Sequence, residues 1–217
     1  MTAPTESETL LEVTDLRTRF RTPAGTVRAV DGVSLTLDRG RTLGIVGESG
    51  SGKSVLSRSI MGLLPKRNVT CEGSVVYDGR EISSLPPAER RKLWGADMAM
   101  VFQDPMTALN PVIRIGRQIT EGLRFHLGLD RRTANENALA LRSVGIPEPE
   151  RRLKQYPHEL SGGMRQRIMI AVALACGPKL LFADEPTTAL DVTVQAQILN
   201  LLARQQRERN MAMVLVT

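Results

Sequence analysis

Three short segments of the chain contain the residue types that bind phosphate groups and divalent metal ions. The first is a glycine-rich loop, GESGSGKS at residues 47–54, which matches G-x-x-x-x-G-K-[ST]. The second is an apolar run that ends in the carboxylates Asp184 and Glu185. The third, LSGGMRQR at residues 160–167, lies between them and places a serine and two glycines before a helical pattern. All three compositions suit anions or metal ions.

The loop at residues 47–54 follows an apolar strand pattern and precedes a helical pattern from Ser54 to about Leu64. Glycines let backbone N–H groups converge on phosphate oxygens, and the helix adds its positive N-terminal end. Lys53 would then reach the β- and γ-phosphates, and the Ser54 hydroxyl would ligate Mg²⁺. A chance Gly/Ser linker of this pattern occurs in roughly one per cent of such chains. We therefore expect nucleotide contacts at Gly47, Glu48, Ser49, Gly50, Ser51, Gly52, Lys53, Ser54 and Val55.

The carboxylates Asp184 and Glu185 close the apolar run at residues 180–183. A carboxylate at the end of a buried strand loses hydration energy unless it is paired, and Mg²⁺ is a natural partner. We expect Asp184 to hold the metal shell and Glu185 to act as the general base that polarises the attacking water. An ordinary strand end would explain the pair alone, but the upstream loop favours the metal-site interpretation.

Ser161 is placed to cap a helix whose first residues are Gly162 and Gly163. Exposed amides at a helix N-terminus suit an anion, although a capped helix after a turn explains the tripeptide alone. In this order, the three segments resemble the ATP-binding cassette of ABC proteins over nearly the whole chain. Met164 departs from the commoner glutamine of that family.

The resemblance implies that two cassettes sandwich two ATP molecules head to tail, with Ser161, Gly162 and Gly163 completing the site of the other subunit. It also implies roles for three further residues. Gln103 matches the glutamine that senses Mg²⁺ and the γ-phosphate, and Asp191, in ALD at residues 189–191, lies near the dimer interface. Phe20 is the expected adenine-stacking aromatic, although a lone phenylalanine is more often a core residue.

Residues 103–111 (QDPMTALNP) and 156–159 (YPHE) resemble the importer ATPases for oligopeptides, dipeptides and nickel. This resemblance implies three kinds of partner: a second, identical or different cassette, two transmembrane permeases and an extracytoplasmic solute-binding protein. Residues 104–110 would lie where a permease helix docks, at the cytoplasmic face of the membrane. The same family places a switch histidine directly after Val214–Thr217, where this chain ends. We therefore expect a truncated chain that binds ATP and hydrolyses it poorly.

The order of strand and helix patterns predicts the fold that positions these residues. Strands alternating with helices predict an α/β P-loop core with a mostly parallel sheet. We expect a disordered tail at residues 1–9 and one nucleotide-binding domain at 10–217. It has an N-terminal antiparallel β subdomain and a helical insertion at about 104–165. Residues 10–37 predict short strands broken by Pro23, Gly25 and Gly32, and a helix is expected over 133–144.

Composition narrows the functional classes. The 217 residues carry 29 basic and 23 acidic side chains, and the basic ones are dispersed in short groups, so we expect no nucleic-acid partner. Two distant cysteines argue against a disulfide framework, and we expect neither a secretory signal nor a membrane span. The alternatives are a non-transport ABC ATPase in DNA repair or translation, and a non-catalytic regulatory cassette.

Overall fold

The strands of the protein form two four-stranded sheets in the computed structural model, which describes residues 8–65, 67–138, 144–188 and 190–217. The first sheet is antiparallel, in the order β2 (Gly25–Asp38), β1 (Thr9–Thr22), β4 (Val69–Tyr77) and β5 (Arg80–Glu81). The second is parallel, in the order β3 (Thr42–Ile45), β8 (Ala212–Val216), β7 (Leu180–Asp184) and β6 (Met98–Val101).

The N-terminal sheet is built on one long hairpin. Strands β1 and β2 pair from Thr22↔Gly25 at the turn to Thr9↔Asp38 at the far end. The prediction of short runs broken at Gly32 is therefore wrong, because β2 continues through that residue despite its φ of 76°. Register shifts along β1 and β2 accommodate extra residues as bulges, so a left-handed glycine bends the strand without ending it.

The parallel sheet brings the loops after its strands to one edge. Ile45 and Asp184 both pair with Val216, and Val101 pairs with Ala183, so the carboxyl ends of all four strands are aligned. Every residue of β6 and β7 is buried, which explains why these strands are continuous apolar runs in the sequence. In open parallel sheets ligands bind at this edge, and the three loops that follow β3, β6 and β7 begin there.

Helices cover the parallel sheet. Apart from α1 (Lys53–Met61), α2 (Pro87–Leu93) and α8 (Val192–Arg209), the described helices lie between β6 and β7. They are α3 (Pro105–Ala108), α4 (Ile115–Leu127), α5 (Arg131–Ala138), α6 (Pro149–Arg152), a 3₁₀ turn (Pro157–Glu159) and α7 (Gly162–Leu174). The helix expected over 133–144 falls partly on residues 139–143, outside the described residues. The bounds of the inserted subdomain, at about 104–165, stay a prediction.

Side chains of β7 alternate between two hydrophobic cores. Leu180 and Phe182 pack with the antiparallel sheet and α1, whereas Leu181 and Ala183 pack with the helices on the other face. The strand that ends in Asp184 is therefore fixed from both sides. In the part of the chain that is described, no helix combines the length and apolarity needed to cross a bilayer.

Candidate functional site

The glycine-rich loop enters α1 through a backbone conformation that needs glycine. Gly52 has a φ of 91°, and a Cβ added there would lie 2.1 Å from the backbone oxygen of Ala29. The residue directly before the helix is thus pressed against β2, which fixes where α1 begins. Helix α1 then points its first N–H groups and its positive end at the loop.

Lys53, the first residue of α1, folds its side chain back onto the loop. Its Nζ donates to the carbonyl oxygens of Gly47 and Glu48 at 2.6 and 2.9 Å, and the residue is only 8% exposed. The same Nζ lies 3.9 Å from Oε1 of Glu185. The ammonium group is therefore held inside the loop, beside the carboxylate at the end of β7.

Ser54 and Asp184 join the loop to β7. The Ser54 hydroxyl donates to Asp184 Oδ1 at 2.8 Å, while Asp184 Oδ2 is buried and has no hydrogen-bond partner among the described residues. Burial raises the pKa of Asp184, and the hydrogen bond from Ser54 opposes that shift. A buried carboxylate oxygen with an unused lone pair, next to a hydroxyl, is the donor set of a hard divalent cation.

Glu185 lies just beyond β7 and is held by side chains from two other segments. Gln103, two residues after β6, donates through Nε2 to Glu185 Oε2 at 2.8 Å, and the Thr188 hydroxyl donates to the same oxygen at 3.0 Å. The backbone of Glu185 has a φ of 45°, and its N–H donates to the carbonyl of Val216 at 3.0 Å. A non-glycine residue in this conformation carries a local energetic cost, and such residues concentrate at functional sites.

A second group of predicted residues, residues 161–163 and Asp191, lies at two helix N-termini. Ser161 caps α7 by accepting from the Met164 N–H at 3.4 Å, and Asp191 caps α8 by accepting from the Val194 N–H at 2.9 Å. The two caps are neighbours, since a Cβ at Gly163 would lie 3.0 Å from a methyl group of Val194.

Within the described ranges, no hydrogen bond or ion pair joins Ser161, Gly162 or Gly163 to residues 47–54. Both Ser161 and Gly162 are exposed. The predicted residues therefore divide between the edge of the parallel sheet and the α7–α8 caps. Ala189, the first residue of the predicted ALD segment, lies outside the described residues.

Two predicted nucleotide contacts lie on the margin of this arrangement. Phe20 is half-buried on β1, where it pairs with Val27 of β2 and Val69 of β4. Its role in stacking on adenine stays a prediction. Val55 packs its side chain partly against the core beneath the antiparallel sheet, and its contact with the nucleotide stays a prediction.

Three polar residues around Glu185 are absent from the sequence-based prediction. Thr188 donates to the carboxylate, as described above. Gln166 of α7 donates to the carbonyl of Pro186 at 2.6 Å, and Gln195 of α8 donates to the carbonyls of Thr187 and Leu190, both at 3.1 Å. The sequence shows only a glutamine just before the apolar run of α7, whereas the structure shows that Gln166 is 2% exposed in a helix whose other buried residues are apolar.

The site and the fold together define an ATP-binding cassette. Residues 30–188 match the ABC transporter family, and the chain belongs to that family. The predicted α/β P-loop fold, with its parallel sheet, antiparallel sheet and helices, is thereby confirmed.

The relatives are peptide transport ATP-binding proteins. The chain is 54% identical over 209 residues to the oligopeptide transport ATP-binding protein OppD of Haemophilus influenzae, with 96% of this chain and 64% of that protein covered. It is 52% identical to OppD of Escherichia coli, covering 99% and 64%. It is 51% identical to the dipeptide transport ATP-binding protein DppD of Bacillus subtilis, covering 97% and 63%. The predicted subfamily resemblance is confirmed, and the chain spans somewhat less than two thirds of the length of these relatives.

Solved structures agree with this assignment. The ATP-binding cassette MJ0796, as a dimer in a post-hydrolysis state bound to ADP and Pi, superposes with a TM-score of 0.85 at 28% identity. The alignment covers 96% of this chain and 88% of that chain. The cassette cbiO1 of Clostridium perfringens, part of the ABC transporter complex cbiONQ, has a TM-score of 0.77 at 27% identity, covering 97% and 79%.

Proposed function

We propose that the chain binds ATP with Mg²⁺ and hydrolyses it to drive uptake of peptides or a related small solute such as nickel. The observation that carries the proposal is the 2.8 Å hydrogen bond from Ser54 to Asp184, beside the unpartnered buried oxygen of that carboxylate. It joins a phosphate-binding loop to an acidic strand end, which is the donor arrangement of P-loop hydrolases.

The residues at the sheet edge fit a magnesium ion. Ser54 and Asp184 would hold it, with Gln103 at its margin, because hydroxyl, carboxylate and amide oxygens are hard donors. No cluster of three or more His, Cys, Asp or Glu side chains suited to a metal occurs among the described residues. A site with few protein ligands suits Mg²⁺, which retains waters and shares phosphate oxygens. Bound Mg²⁺ neutralises charge that develops on the phosphate oxygens.

Lys53 and Glu185 have complementary roles in this proposal. The ammonium of Lys53 donates to two loop carbonyls. When the β- and γ-phosphates enter the loop, it donates to their oxygens instead. Glu185 accepts a proton from the water that attacks the γ-phosphate. Gln103 orients that carboxylate through its 2.8 Å hydrogen bond.

The α7–α8 caps support a dimer of cassettes. Ser161 and Gly162 expose the N-terminus of a 13-residue helix, which suits an anion from outside the subunit. We propose that Ser161, Gly162 and Gly163 complete the nucleotide site of a second cassette, with Asp191 at the interface and Phe20 stacking on adenine in its own subunit. The similar cassette MJ0796 forms a dimer, which supports the pairing of two cassettes.

Exposed apolar side chains near Gln103 support a membrane-protein partner. Phe102 is 36% exposed, Met106 57% and Val112 79%, within a short stretch that also carries Gln103. Exposed apolar surface of this kind commonly marks a protein interface. We propose that a helix of one of the two permeases docks here and that an extracytoplasmic protein supplies the solute. The cassette then lies at the cytoplasmic face of the membrane.

Two experiments test this function. The first measures ATP hydrolysis by the natural full-length protein and by its Lys53→Met variant, which keeps the side-chain length and removes the charge. We expect a loss of at least about 100-fold in kcat/KM for the variant, with hydrolysis dependent on Mg²⁺. Equal rates for the two proteins would contradict the assignment.

The second experiment purifies the tagged protein from its native membranes and identifies its partners by mass spectrometry. Recovery of two polytopic permeases and a cassette supports the importer. Recovery of ribosomes or DNA-repair factors from the soluble fraction would instead support the non-transport alternative.

A further inference from the structure

Two glutamines from different helices contact the described residues (186–188 and 190) of the connection between β7 and α8. This connection begins directly after Glu185 and ends directly before Asp191, the cap of α8. Gln195 reaches it from α8, and Gln166 reaches it from α7. The hydroxyl of Thr188, within the same connection, donates to the Glu185 carboxylate at 3.0 Å. This connection and Gln103 therefore together hold the carboxylate in position.

Gln166 links the connection to the segment that the proposed function assigns to the other nucleotide. It is 2% exposed and lies about one helical turn after Gly162 and Gly163, on the same helix. Its Nε2 donates to the Pro186 carbonyl at 2.6 Å, and Pro186 is the residue directly after Glu185. Because one turn of α-helix is stiff, a displacement of Ser161 moves Gln166 by a similar distance.

Glu185 is sensitive to such a displacement. Its φ of 45° is a conformation that surrounding contacts must maintain, and the peptide directly after it carries no N–H because Pro186 follows. The next carbonyl along the chain, that of Pro186, is the acceptor that Gln166 holds. Movement of that carbonyl changes the backbone torsions beside Glu185.

We infer that Gln166 is a positioning residue. It couples contact between residues 161–163 (the signature segment) and one nucleotide to the placement of Glu185 at the other nucleotide. The inference rests on the proposed function, in which Ser161, Gly162 and Gly163 touch the nucleotide of the partner cassette. In each subunit, contact between the N-terminus of α7 and the partner's nucleotide then affects the position of Glu185 in the subunit's own nucleotide site. The expected property is positive cooperativity in ATP hydrolysis.

A purely structural role for Gln166 makes a different prediction. A buried amide that only satisfies a carbonyl affects folding, whereas a coupling residue also affects cooperativity at unchanged affinity for a single ATP. Gln195 supplies the matched control, because it holds two carbonyls of the same connection from α8, which does not begin in the signature segment. Gln166→Met and Gln195→Met each remove an amide donor and keep the side-chain length.

The test measures kcat, KM for ATP and the Hill coefficient of the natural full-length protein and both variants. Gln166→Met is expected to lose at least about 10-fold in kcat, the scale of a misplaced catalytic group, and to show a Hill coefficient close to one. Its KM is expected to stay within about two-fold. Gln195→Met is expected to keep the cooperativity and to lose no more than about three-fold in kcat.

The outcomes separate the two proposals. Three results would overturn the coupling role and leave the ATPase assignment intact. They are cooperativity retained by Gln166→Met, no cooperativity in the unmodified protein, and an equal loss of cooperativity in Gln195→Met. Absence of ATP hydrolysis by the unmodified protein overturns both. If Gln166→Met does not fold, Gln166→Asn replaces it, because this shorter amide stays polar and does not reach the Pro186 carbonyl. Its expected results are the same.

Discussion

The Ser54 hydroxyl and the Asp184 carboxylate are 130 positions apart in the chain and are joined by a 2.8 Å hydrogen bond. This bond connects the start of α1 to the end of β7. The donors proposed for the metal are thus held next to each other by the fold itself. Such preorganisation favours affinity because the ordering cost is met during folding.

Asp184→Asn is expected to stabilise the protein when nucleotide and Mg²⁺ are absent. The substitution removes a buried charge and retains an oxygen that can accept from Ser54. We expect the free energy of unfolding at neutral pH to rise by about 1 kcal/mol, measured by urea denaturation. Added Mg²⁺ and ATP should stabilise the unmodified protein and have much less effect on the variant. A variant less stable than the unmodified protein without ligand would contradict this account.

The stability difference between Asp184→Asn and the unmodified protein should depend on pH. Burial raises the pKa of Asp184, so the folded state binds this proton more tightly than the unfolded chain does. The protonated Asp184 carboxyl therefore stabilises the unmodified protein below the pKa that this group has in the unfolded chain. That stabilisation is lost as the pH rises through the pKa of the group in the folded protein. The advantage of the variant should grow with pH across that window. Denaturation curves collected at several pH values measure it, and an advantage that shrinks with rising pH would be the opposite result.

Gly52→Ala and Gly50→Ala separate steric contact from backbone strain in the phosphate loop. Both glycines have positive φ, 91° and 82°, but only at Gly52 would a Cβ meet a backbone oxygen, whereas at Gly50 no atom lies within 4 Å. Strain alone costs roughly 1–2 kcal/mol at Gly50, and the clash should raise the cost at Gly52 to about 3 kcal/mol or more. Thermal unfolding without nucleotide compares them. Equal losses would indicate that the contact with Ala29 is not structurally important.

Asp191→Ala should destabilise the isolated cassette through loss of a helix cap. The carboxylate accepts from the Val194 N–H at 2.9 Å at the start of an 18-residue helix. We expect a loss of about 1 kcal/mol for alanine, and less for Asp191→Asn, which keeps the capping oxygen. Urea denaturation of both variants gives the comparison. If asparagine costs as much as alanine, the negative charge and not the cap is responsible.

Local sequence predicted the parts of the site that lie at element ends. Residues 47–54 match a defined motif between a strand and a helix, and Leu180–Asp184 is apolar up to its carboxylate. Parallel strands carry their following loops to one edge, so the meeting of Lys53, Gln103 and Glu185 could be expected from topology. The predicted roles of these residues in catalysis are not tested by the fold.

Other features depend on contacts between distant segments. The long β1–β2 hairpin continues through Gly32 because bulges absorb the extra residues, and no local pattern reveals a bulge. The hydrogen bonds of Gln166 and Gln195 to the β7–α8 connection arise only when α7 and α8 pack beside each other. Burial of a glutamine on a helix shows that a partner exists, but tertiary structure identifies that partner.

The central claim is that Glu185 is the general base of an ATPase, and Glu185→Gln tests it most directly. Glutamine keeps the shape of the side chain and an oxygen that can accept from Gln103, but it cannot accept a proton from water. The measurement is ATP turnover at saturating Mg²⁺ and ATP, with ATP affinity determined in parallel on the same natural full-length protein. We predict a fall of about 100-fold or more in kcat, with affinity unchanged within about three-fold. Turnover by Glu185→Gln at the rate of the unmodified protein would contradict the assignment.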